Sequence, residues 1–290
     1  MILVKDAEII GHILDHAIYK VTKMQVLPIY SLTKEWVYHK SIKEYLNSEN
    51  SFFFSYTYNL SKPFKNNFFS AFEPPLIRQS QNPKNPEKPQ KPSFQFNDFV
   101  SKNLWDIWDS AESKKESDRP FNESLWVIKL MHGYYNVIQH DIYANTISVH
   151  LISRRQIQNC GTRYNRRGLN DMGFTANFVE TEQLVINETL TSGKKPLISS
   201  YLQVRGSVPL YWSQYTSFWS PKPPIQLGEG SDDLHHGSLK HFADLIGLYG
   251  KRIICMNLMK KPLLTKENQE IKLGNKYDAM VKSLRAKHSQ

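Results

Sequence analysis

The chain has 290 residues, 40% of them hydrophobic, with two cysteines and a formal net charge of +10. This composition excludes a chain that is disordered throughout and a small scaffold held by disulfides. No run of about 18 apolar residues and no signal-peptide layout occurs, so we expect a cytoplasmic protein without a transmembrane segment. The length predicts about two domains.

The first 60 residues predict both strands and a helix. Residues 17–29 are rich in β-forming side chains and predict strands. Thr33 is placed to cap a helix, and apolar side chains follow it at helical spacing as far as Leu46. The aromatic residues Phe52, Phe54, Tyr56 and Tyr58 alternate with Phe53, Ser55 and Thr57, which predicts one more strand.

Residues 61–95 contain seven of the 15 prolines and six Lys/Arg against two Glu. Proline removes backbone donors and the polar remainder has little surface to bury, so this segment is predicted to be a disordered insertion. Residues 251–290 carry ten Lys/Arg and three Asp/Glu, whereas the rest of the chain is close to neutral. Positive charge concentrated in an insertion and a tail is typical of a solvated surface. It would also allow the chain to bind an anionic partner, either a membrane or nucleic acid.

The remaining chain mixes predicted strands with predicted helices. Alternating or β-rich runs predict strands at 124–131, 134–140, 146–153, 178–187 and 197–204. Residues 232–249 predict a helix that ends at Gly250, and residues 252–259 predict a buried strand. Cys255 lies in that apolar run and is predicted to be a core thiol. Asn275 is placed to open a helix whose inner face carries Tyr277, Met280, Val281 and Leu284. The mixture predicts an α+β fold.

Five arginines and no acidic residue lie within residues 151–170, namely Arg154, Arg155, Arg163, Arg166 and Arg167. Guanidinium groups bind phosphate with two parallel hydrogen bonds, so the run suits a phosphate site. Acidic residues follow at Asp171, Glu180 and Glu182, and an internal network of arginines paired with these acids explains the pattern equally well.

Cys160 and Arg166 match the pattern C-x5-R, in which a thiolate attacks phosphorus while backbone amides and the arginine hold the phosphate. The residue after Arg166 is another arginine, where Ser or Thr is usual, and Arg163 and Tyr164 are bulky for a tight loop of amides. We therefore interpret Cys160 as a coincidental match.

The sequence predicts no metal site and no cofactor. Its densest group of possible metal ligands is spaced unlike known zinc sites and is interpreted as an exposed helix start: Asp232, Asp233, His235, His236 and His241. Phosphate-binding loops of nucleotide enzymes, dinucleotide fingerprints and nucleophile elbows are missing from the sequence.

Several ordered blocks resemble the Sac-domain phosphoinositide phosphatases, the family that includes the synaptojanins. They are Phe52-Phe-Phe-Ser-Tyr-Thr-Tyr-Asn-Leu60, Leu125-Trp-Val-Ile-Lys-Leu-Met-His-Gly133, Ile152-Ser-Arg-Arg155, Gly161-Thr-Arg-Tyr-Asn-Arg-Arg-Gly168, Ala176-Asn-Phe-Val-Glu-Thr-Glu-Gln-Leu184 and Gln203-Val-Arg-Gly-Ser-Val-Pro-Leu-Tyr-Trp-Ser-Gln214. The resemblance implies removal of phosphate from phosphatidylinositol phosphates at a membrane surface.

The resemblance also implies what this chain contributes. The family's catalytic C-x5-R-[ST] motif lies downstream of the last block, beyond Gln290, so we expect no activity from this chain alone. Residues 1–140 correspond to the family's N-terminal subdomain, and residues 141–290 to the first half of its catalytic subdomain. Four arginines in the matching blocks are expected to be phosphoinositide-facing or structural: Arg163, Arg166, Arg167 and Arg205.

Two further interpretations remain beside the phosphatase. One is a non-enzymatic module that binds phosphoinositides or a protein partner, peripheral at endomembranes. The other, nucleic-acid binding, is suggested by charge alone and by none of the motifs. A catalytic subdomain divided midway leaves an unpaired sheet edge and exposed apolar faces, so we also expect low stability in isolation.

Overall fold

A computed structural model provides the structure of the chain. It describes residues 2–27, 36–48, 51–70, 93–101, 127–143, 145–162, 165–187, 189, 196–215, 223–228, 236–259 and 269–288. Their backbone forms strands and helices together, which confirms the predicted α+β class. The described residues fall into two compact units. The first comprises residues 2–70, 93–155 and 180–203, and the second residues 156–179 and 204–288.

The first unit is built on a seven-stranded sheet whose strands lie in chain order. The strands are β1 (Ile2–Ile13), β2 (His16–Val26), β3 (Phe52–Phe54), β4 (Met131–Ile142), β5 (Asn145–Arg155), β6 (Val179–Asn187) and β7 (Leu197–Arg205). Two-residue turns close the β1–β2 and β4–β5 hairpins. The predicted subdomain boundary after residue 140 falls inside the second hairpin and stays a prediction. The strands predicted near 17–29, 134–140, 146–153, 178–187 and 197–204 are confirmed.

β3 lies between β2 and β4, and all three of its phenylalanines are buried. A strand covered on both faces has no polar side to alternate with, which explains the continuous aromatic run. The strand was predicted to continue to Tyr58, but it ends at Phe54. The Ser55 hydroxyl accepts a hydrogen bond from the amide of Thr57 at 3.4 Å, a local bond that competes with strand pairing.

Helix α1 (Trp36–Ser48) confirms the predicted helix, although Thr33 lies outside the described residues. Residues 61–95 were predicted to be a disordered insertion, and this is wrong for the beginning of that segment, which contains helix α2 (Phe64–Ser70). Pro63 precedes α2, and its carbonyl accepts the amide of Asn66 at 2.9 Å. Proline suits this position because its fixed φ is already helical and its missing N–H is not needed there. Residues 71–92 lie outside the described part.

The strand predicted at residues 124–131 is wrong for residues 127–130, because β4 begins only at Met131.

The first unit has two apolar clusters. One contains Ile13, Ile18 and Met131 with the strand residues Leu184 and Ile186. The other contains Val21, Met24, Leu46, Phe52, Phe54 and Leu130. The aromatic runs of the first 60 residues therefore serve the core.

In the second unit, helix α3 (His236–Tyr249) ends as predicted. Gly250 has φ +100°, and its amide donates to the Ile246 carbonyl at 2.9 Å, a helix end that favours glycine. Helix α4 (Gln269–His288) is longer than predicted, because Asn275 lies within it rather than at its start. Met280 and Leu284 of α4 are buried as expected.

A short pair of strands, β8 (Trp212–Ser213) and β9 (Gln226–Leu227), completes the second unit. Its apolar core gathers Leu210, Leu273, Met280 and Leu284, with Trp212, Phe242 and Tyr277 packed against them. Residues 252–259 were predicted to be a buried strand, and this prediction is wrong. The segment is unpaired among the described residues, and Cys255 is exposed rather than a core thiol. None of the described helices is long and apolar enough to cross a membrane.

Candidate functional site

The second unit contains every predicted site residue that the structure describes. Residues 156–178 and 204–214 are mostly loops, with Val204 and Arg205 as the last two residues of β7, and we call them the signature-loop cluster. It carries Cys160, Arg166, Arg167 and Arg205, whereas Arg163 lies outside the described residues. The two stretches are separate in the sequence, so their association depends on the hydrogen bonds between them.

Three hydrogen bonds form a ring among Gly168, Ala176 and Ser207, and the two that involve Ser207 join the two stretches. The amide of Ala176 donates to the Gly168 carbonyl at 2.8 Å, and the amide of Ser207 donates to the Ala176 carbonyl at 3.0 Å. The amide of Gly168 donates to the Ser207 hydroxyl at 2.8 Å, which closes the ring. Backbone groups and the Ser207 hydroxyl therefore hold together the stretches that carry Arg167 and Arg205.

Gly168 is required at this junction. Its φ is +67°, and a Cβ there would lie 2.5 Å from the Leu210 carbonyl oxygen and 2.8 Å from that of Trp212. Any other residue would combine a left-handed backbone with a contact that no real Cβ makes. The glycines of the signature therefore permit the close approach of two backbone segments.

Arg167 is half-buried and is held by residues of the 204–214 stretch. Its Nε donates to Gln214 Oε1 at 3.1 Å, and its guanidinium carbon lies 5.3 Å from the centroid of the Trp212 ring. Gln214 in turn donates from Nε2 to the Pro223 carbonyl at 3.1 Å. A planar cation that stacks on an aromatic ring and donates sideways is a role that lysine does not fill.

Arg166 and Arg205 are exposed. The stem of Arg166 covers Gly161, where a Cβ would lie 2.1 Å from the Arg166 Cγ. Among the described residues, no hydrogen bond or ion pair engages either guanidinium. Arg166 in its loop and Arg205 at the end of β7 therefore present cationic forks that are available to an anion from solvent.

Three of the described backbone amides that follow Cys160 are not free to hold a phosphate. A thiolate phosphatase needs loop amides that converge on the anion. Here the amide of Gly161 donates to Asn177 Oδ1 at 3.1 Å. The amides of Asn165 and Arg166 both donate to the Thr162 carbonyl, at 3.2 and 3.3 Å. These three donors are already engaged within the protein, which supports the interpretation of Cys160 as a coincidental match.

Helix α3 holds the loop around Gly173. His241 Nδ1 lies 3.1 Å from the Gly173 carbonyl oxygen, and its ring meets that of Phe178 edge-on at 6.2 Å between centroids. Burial lowers the pKa of His241 to about 4, so the imidazole is neutral at physiological pH and donates its single proton to the carbonyl. Burial likewise raises the pKa of Asp244, one turn further along α3.

Arg154 has a different role from the exposed arginines, although it belongs to the same run. It lies in the first unit at 0% exposure, with Nη1 3.0 Å from Glu180 Oε1 and Nη2 2.6 Å from Glu182 Oε2. Its remaining donors bond the carbonyls of Leu60 and Lys62. The two glutamates lie two residues apart on β6 and so share one face of the sheet. For Arg154, the alternative of an internal network is correct.

Sequence reasoning missed the residues that position the arginines. Trp212 and Gln214 lie in a matching block, but nothing in that block indicated that they hold Arg167, which is 45 and 47 residues earlier in the chain. The structure also gives different environments to the arginines of the five-arginine run. Arg154 is buried, Arg167 is half-buried and hydrogen-bonded to Gln214, and Arg155 and Arg166 are exposed.

The fold and the loop cluster together define an α+β protein that presents fixed, exposed arginines suited to an anionic ligand. A family model described as the SacI homology domain matches residues 1–290. The chain therefore belongs to the SacI homology domain family, and the resemblance expected from the sequence is confirmed.

Curated relatives agree with this assignment. The chain is 34% identical over 268 residues to a phosphatidylinositol-3-phosphatase SAC1 of Arabidopsis thaliana, covering 90% of this chain and 26% of that protein. It is 29% identical to a polyphosphoinositide phosphatase of Schizosaccharomyces pombe, covering 97% of this chain and 32% of that protein. It is 28% identical to a phosphatidylinositol-3-phosphatase SAC1 of Saccharomyces cerevisiae, covering 98% of this chain and 41% of that protein. The chain thus spans about a quarter to two fifths of these relatives.

Proposed function

We propose that the signature-loop cluster binds the phosphorylated headgroup of a phosphoinositide within a Sac-type phosphatase. Arg166 and Arg205 contact phosphate oxygens, and Arg163 joins them on the evidence of the sequence signature. Arg167 is a positioning residue that fixes one loop against the other. The nucleophile for hydrolysis is not one of the two cysteines of this chain.

The observation that carries this proposal is the pair of exposed guanidiniums on loops that are hydrogen-bonded to each other. A guanidinium binds phosphate with a charge-assisted, two-point contact, and a preformed site loses little entropy when it binds. The named relatives act on phosphatidylinositol phosphates, which are ligands of this chemistry. An enzyme of such a lipid works at a membrane surface, so we expect peripheral association with endomembranes.

The proposal that this chain does not hydrolyse its ligand is supported by the surroundings of both cysteines. The amides beside Cys160 are engaged by protein acceptors. Cys255 has Lys261 at the position where the motif places arginine. Without a thiolate held beside convergent donors, attack on phosphorus has neither an activated nucleophile nor stabilisation of the developing charge.

A second candidate is a non-enzymatic module that binds anionic membranes through the basic residues that follow α3. Lys251, Arg252, Lys272, Lys282 and Arg285 are exposed. A surface of this kind responds to charge density rather than to a particular headgroup, and its affinity falls steeply with salt. The two candidates therefore differ in headgroup selectivity.

Vesicle sedimentation separates the candidates. The full chain is mixed with phosphatidylcholine vesicles containing phosphatidylinositol 3-phosphate, or phosphatidylserine at equal surface charge. We expect Arg166→Gln/Arg205→Gln to lower the affinity for the phosphoinositide vesicles about tenfold or more, because each charged hydrogen bond contributes about 1.5–3 kcal/mol. The matched control Arg155→Gln removes an exposed arginine of the first unit and should leave the affinity unchanged.

The contrary result is equally clear. If Arg252→Gln/Arg285→Gln weakens binding to both vesicle types while Arg166→Gln/Arg205→Gln has no effect, the basic-surface module is the correct function. Phosphate release tests the second part of the proposal. We expect none from the purified chain on phosphatidylinositol 3-phosphate, and release that is lost in Cys160→Ser would contradict it.

A further inference from the structure

Asn159 and Asn177, which we call the asparagine pair, have a left-handed backbone within the signature-loop cluster. Both residues have a φ of +53°. Most residues with a Cβ avoid this conformation, and asparagine is one of the few that tolerate it. Asn177 is exposed, so packing in the core does not explain why a side chain stands there instead of glycine. Non-glycine residues held in this conformation are concentrated at functional sites.

Each side chain of the asparagine pair bonds a backbone group near the other asparagine. Asn159 Nδ2 donates to the Phe174 carbonyl at 2.9 Å, and Asn177 Oδ1 accepts the amide of Gly161 at 3.1 Å. The amide of Asn177 also donates to the Asn159 carbonyl at 3.3 Å. These three hydrogen bonds join residues 159–161 to residues 174–177, and two of them come from the asparagine side chains.

The asparagine pair lies at the start of residues 161–168, which we call the arginine loop. This loop contains three signature arginines, Arg163, Arg166 and Arg167. Its first residue, Gly161, is bonded to the Asn177 side chain, and the carbonyl of its last residue, Gly168, accepts the amide of Ala176 at 2.8 Å. Two adjacent residues thus hold both ends of the loop. Closing a loop restricts its conformations before a ligand arrives.

Arg166 depends directly on this closure. Its stem lies over Gly161, since a Cβ on Gly161 would be 2.1 Å from the Arg166 Cγ. Its amide donates to the carbonyl of Thr162 at 3.3 Å, so the turn that contains Arg166 begins at the residue after Gly161. Fixing Gly161 therefore limits where the exposed guanidinium of Arg166 can point.

We propose that Asn159 and Asn177 are positioning residues, which set the arginine loop so that Arg166 is oriented toward a phosphate group of the ligand. Neither asparagine side chain has to touch the ligand. This role rests on the proposed headgroup binding by the signature-loop cluster, and it names the residues that prepare the loop for it. Glycine at both positions would supply the left-handed backbone without the two side-chain hydrogen bonds.

Amide hydrogen exchange of the full chain, followed by NMR, tests the asparagine pair without a ligand. Asn177→Gly keeps the left-handed backbone but removes the acceptor of the Gly161 amide. We expect that amide to exchange about tenfold faster or more. Asn177→Asp keeps an oxygen acceptor, so the Gly161 amide should exchange as slowly as in the wild type. An unchanged rate in Asn177→Gly would overturn the proposal, because the side chain would then not hold the loop.

Titration with inositol 1,3-bisphosphate tests the link to Arg166. Asn159→Gly/Asn177→Gly should raise the Kd about fivefold or more, because the loop must then be ordered when the ligand binds. In an Arg166→Gln background the same two substitutions should change the Kd by less than about twofold, because a positioning residue acts only through the group that it positions.

The matched control for this titration is Tyr143→Gly. Tyr143 is exposed and has a φ of +55°, so the control also replaces a left-handed residue with glycine. It lies in the turn between β4 and β5, outside the signature-loop cluster. We therefore expect Tyr143→Gly to leave the Kd for inositol 1,3-bisphosphate unchanged.

The outcomes separate this role from headgroup binding itself. If the wild type does not bind inositol 1,3-bisphosphate, the proposed function fails and the role of the asparagine pair fails with it. If the wild type binds but Asn159→Gly/Asn177→Gly binds equally well, or loses the same factor with and without Arg166, only the role of the pair is overturned. A fall in affinity that requires Arg166, with a urea midpoint close to that of the wild type, is the result expected for positioning residues.

Discussion

Replacing Arg154 with methionine tests whether a buried ionic network holds the first unit together. The substitution keeps most of the side-chain volume but leaves Glu180 and Glu182 at 1% and 0% exposure without their cation. It also removes the donors to the Leu60 and Lys62 carbonyls. Breaking a buried ion pair costs about 3–5 kcal/mol, because the surviving charge stays desolvated.

The expected loss is a large part of the total stability. Domains of this size unfold with about 5–15 kcal/mol, so a loss of 4 kcal/mol or more leaves a marginal protein. The partners of the network lie far apart in the sequence: Glu182 also accepts the amide of Phe64 at 2.9 Å and the hydroxyl of Ser200 at 2.8 Å. The loop at residues 60–64 should therefore loosen together with β6 and β7.

Urea unfolding followed by circular dichroism measures this effect. The control Arg155→Met changes the exposed neighbour and should shift the free energy of unfolding by less than about 0.5 kcal/mol. Arg154→Met/Glu180→Gln/Glu182→Gln removes all three charges and should recover part of the loss. The reasoning is refuted if Arg154→Met stays within about 1 kcal/mol of the wild type, or if the triple variant is no more stable than the single one.

Three further predictions concern the loops and the sheet. Because the pKa of half-buried His241 is about 4 rather than 6.5, the unfolded chain binds more protons between these values, and stability is lost as pH falls from 6.5 toward 4. His241→Gln should reduce this loss by roughly 3 kcal/mol between pH 7 and pH 4, and equal losses in both proteins would contradict this. Gly168→Ala should lower the free energy of unfolding more than Gly250→Ala. Both glycines have positive φ, but only at Gly168 would the added Cβ collide with a carbonyl oxygen. Equal urea midpoints for the two variants would contradict this prediction. Tyr135→Phe leaves buried His150 Nδ1 without its 3.0 Å hydroxyl partner and should cost about 1–3 kcal/mol, whereas an unchanged melting temperature would show that the bond is unimportant.

Local sequence patterns predict the strands and helices that follow simple periodicities. β5, β6 and α3 confirm the predicted elements because one face of each is buried and the other is not. β1 was not predicted, and the reason is physical. Its pairing with β2 shifts register between Val4 and Asp6 and again between Ile9 and Gly11, so apolar residues do not alternate along it.

Burial by distant parts of the chain cannot be predicted from a local pattern. Residues 252–259 have the composition of a core strand, but the structure leaves them without a covering layer. Arg154 and Arg166 are 12 positions apart in one basic run, yet only Arg154 meets acids, because its partners come from β6 and from a loop more than 90 residues earlier. The sequence identified the candidate arginines, and long-range contacts decide which of them are exposed.

Headgroup binding in solution tests the central claim most directly, because it needs no membrane and no hydrolysis. Inositol 1,3-bisphosphate, the soluble headgroup of phosphatidylinositol 3-phosphate, is titrated into the full chain in a calorimeter at fixed ionic strength. The account predicts saturable binding at one site, about tenfold or more weaker in Arg166→Gln/Arg205→Gln and unchanged in Arg155→Gln. Absence of binding, or equal binding by all three proteins, would contradict it.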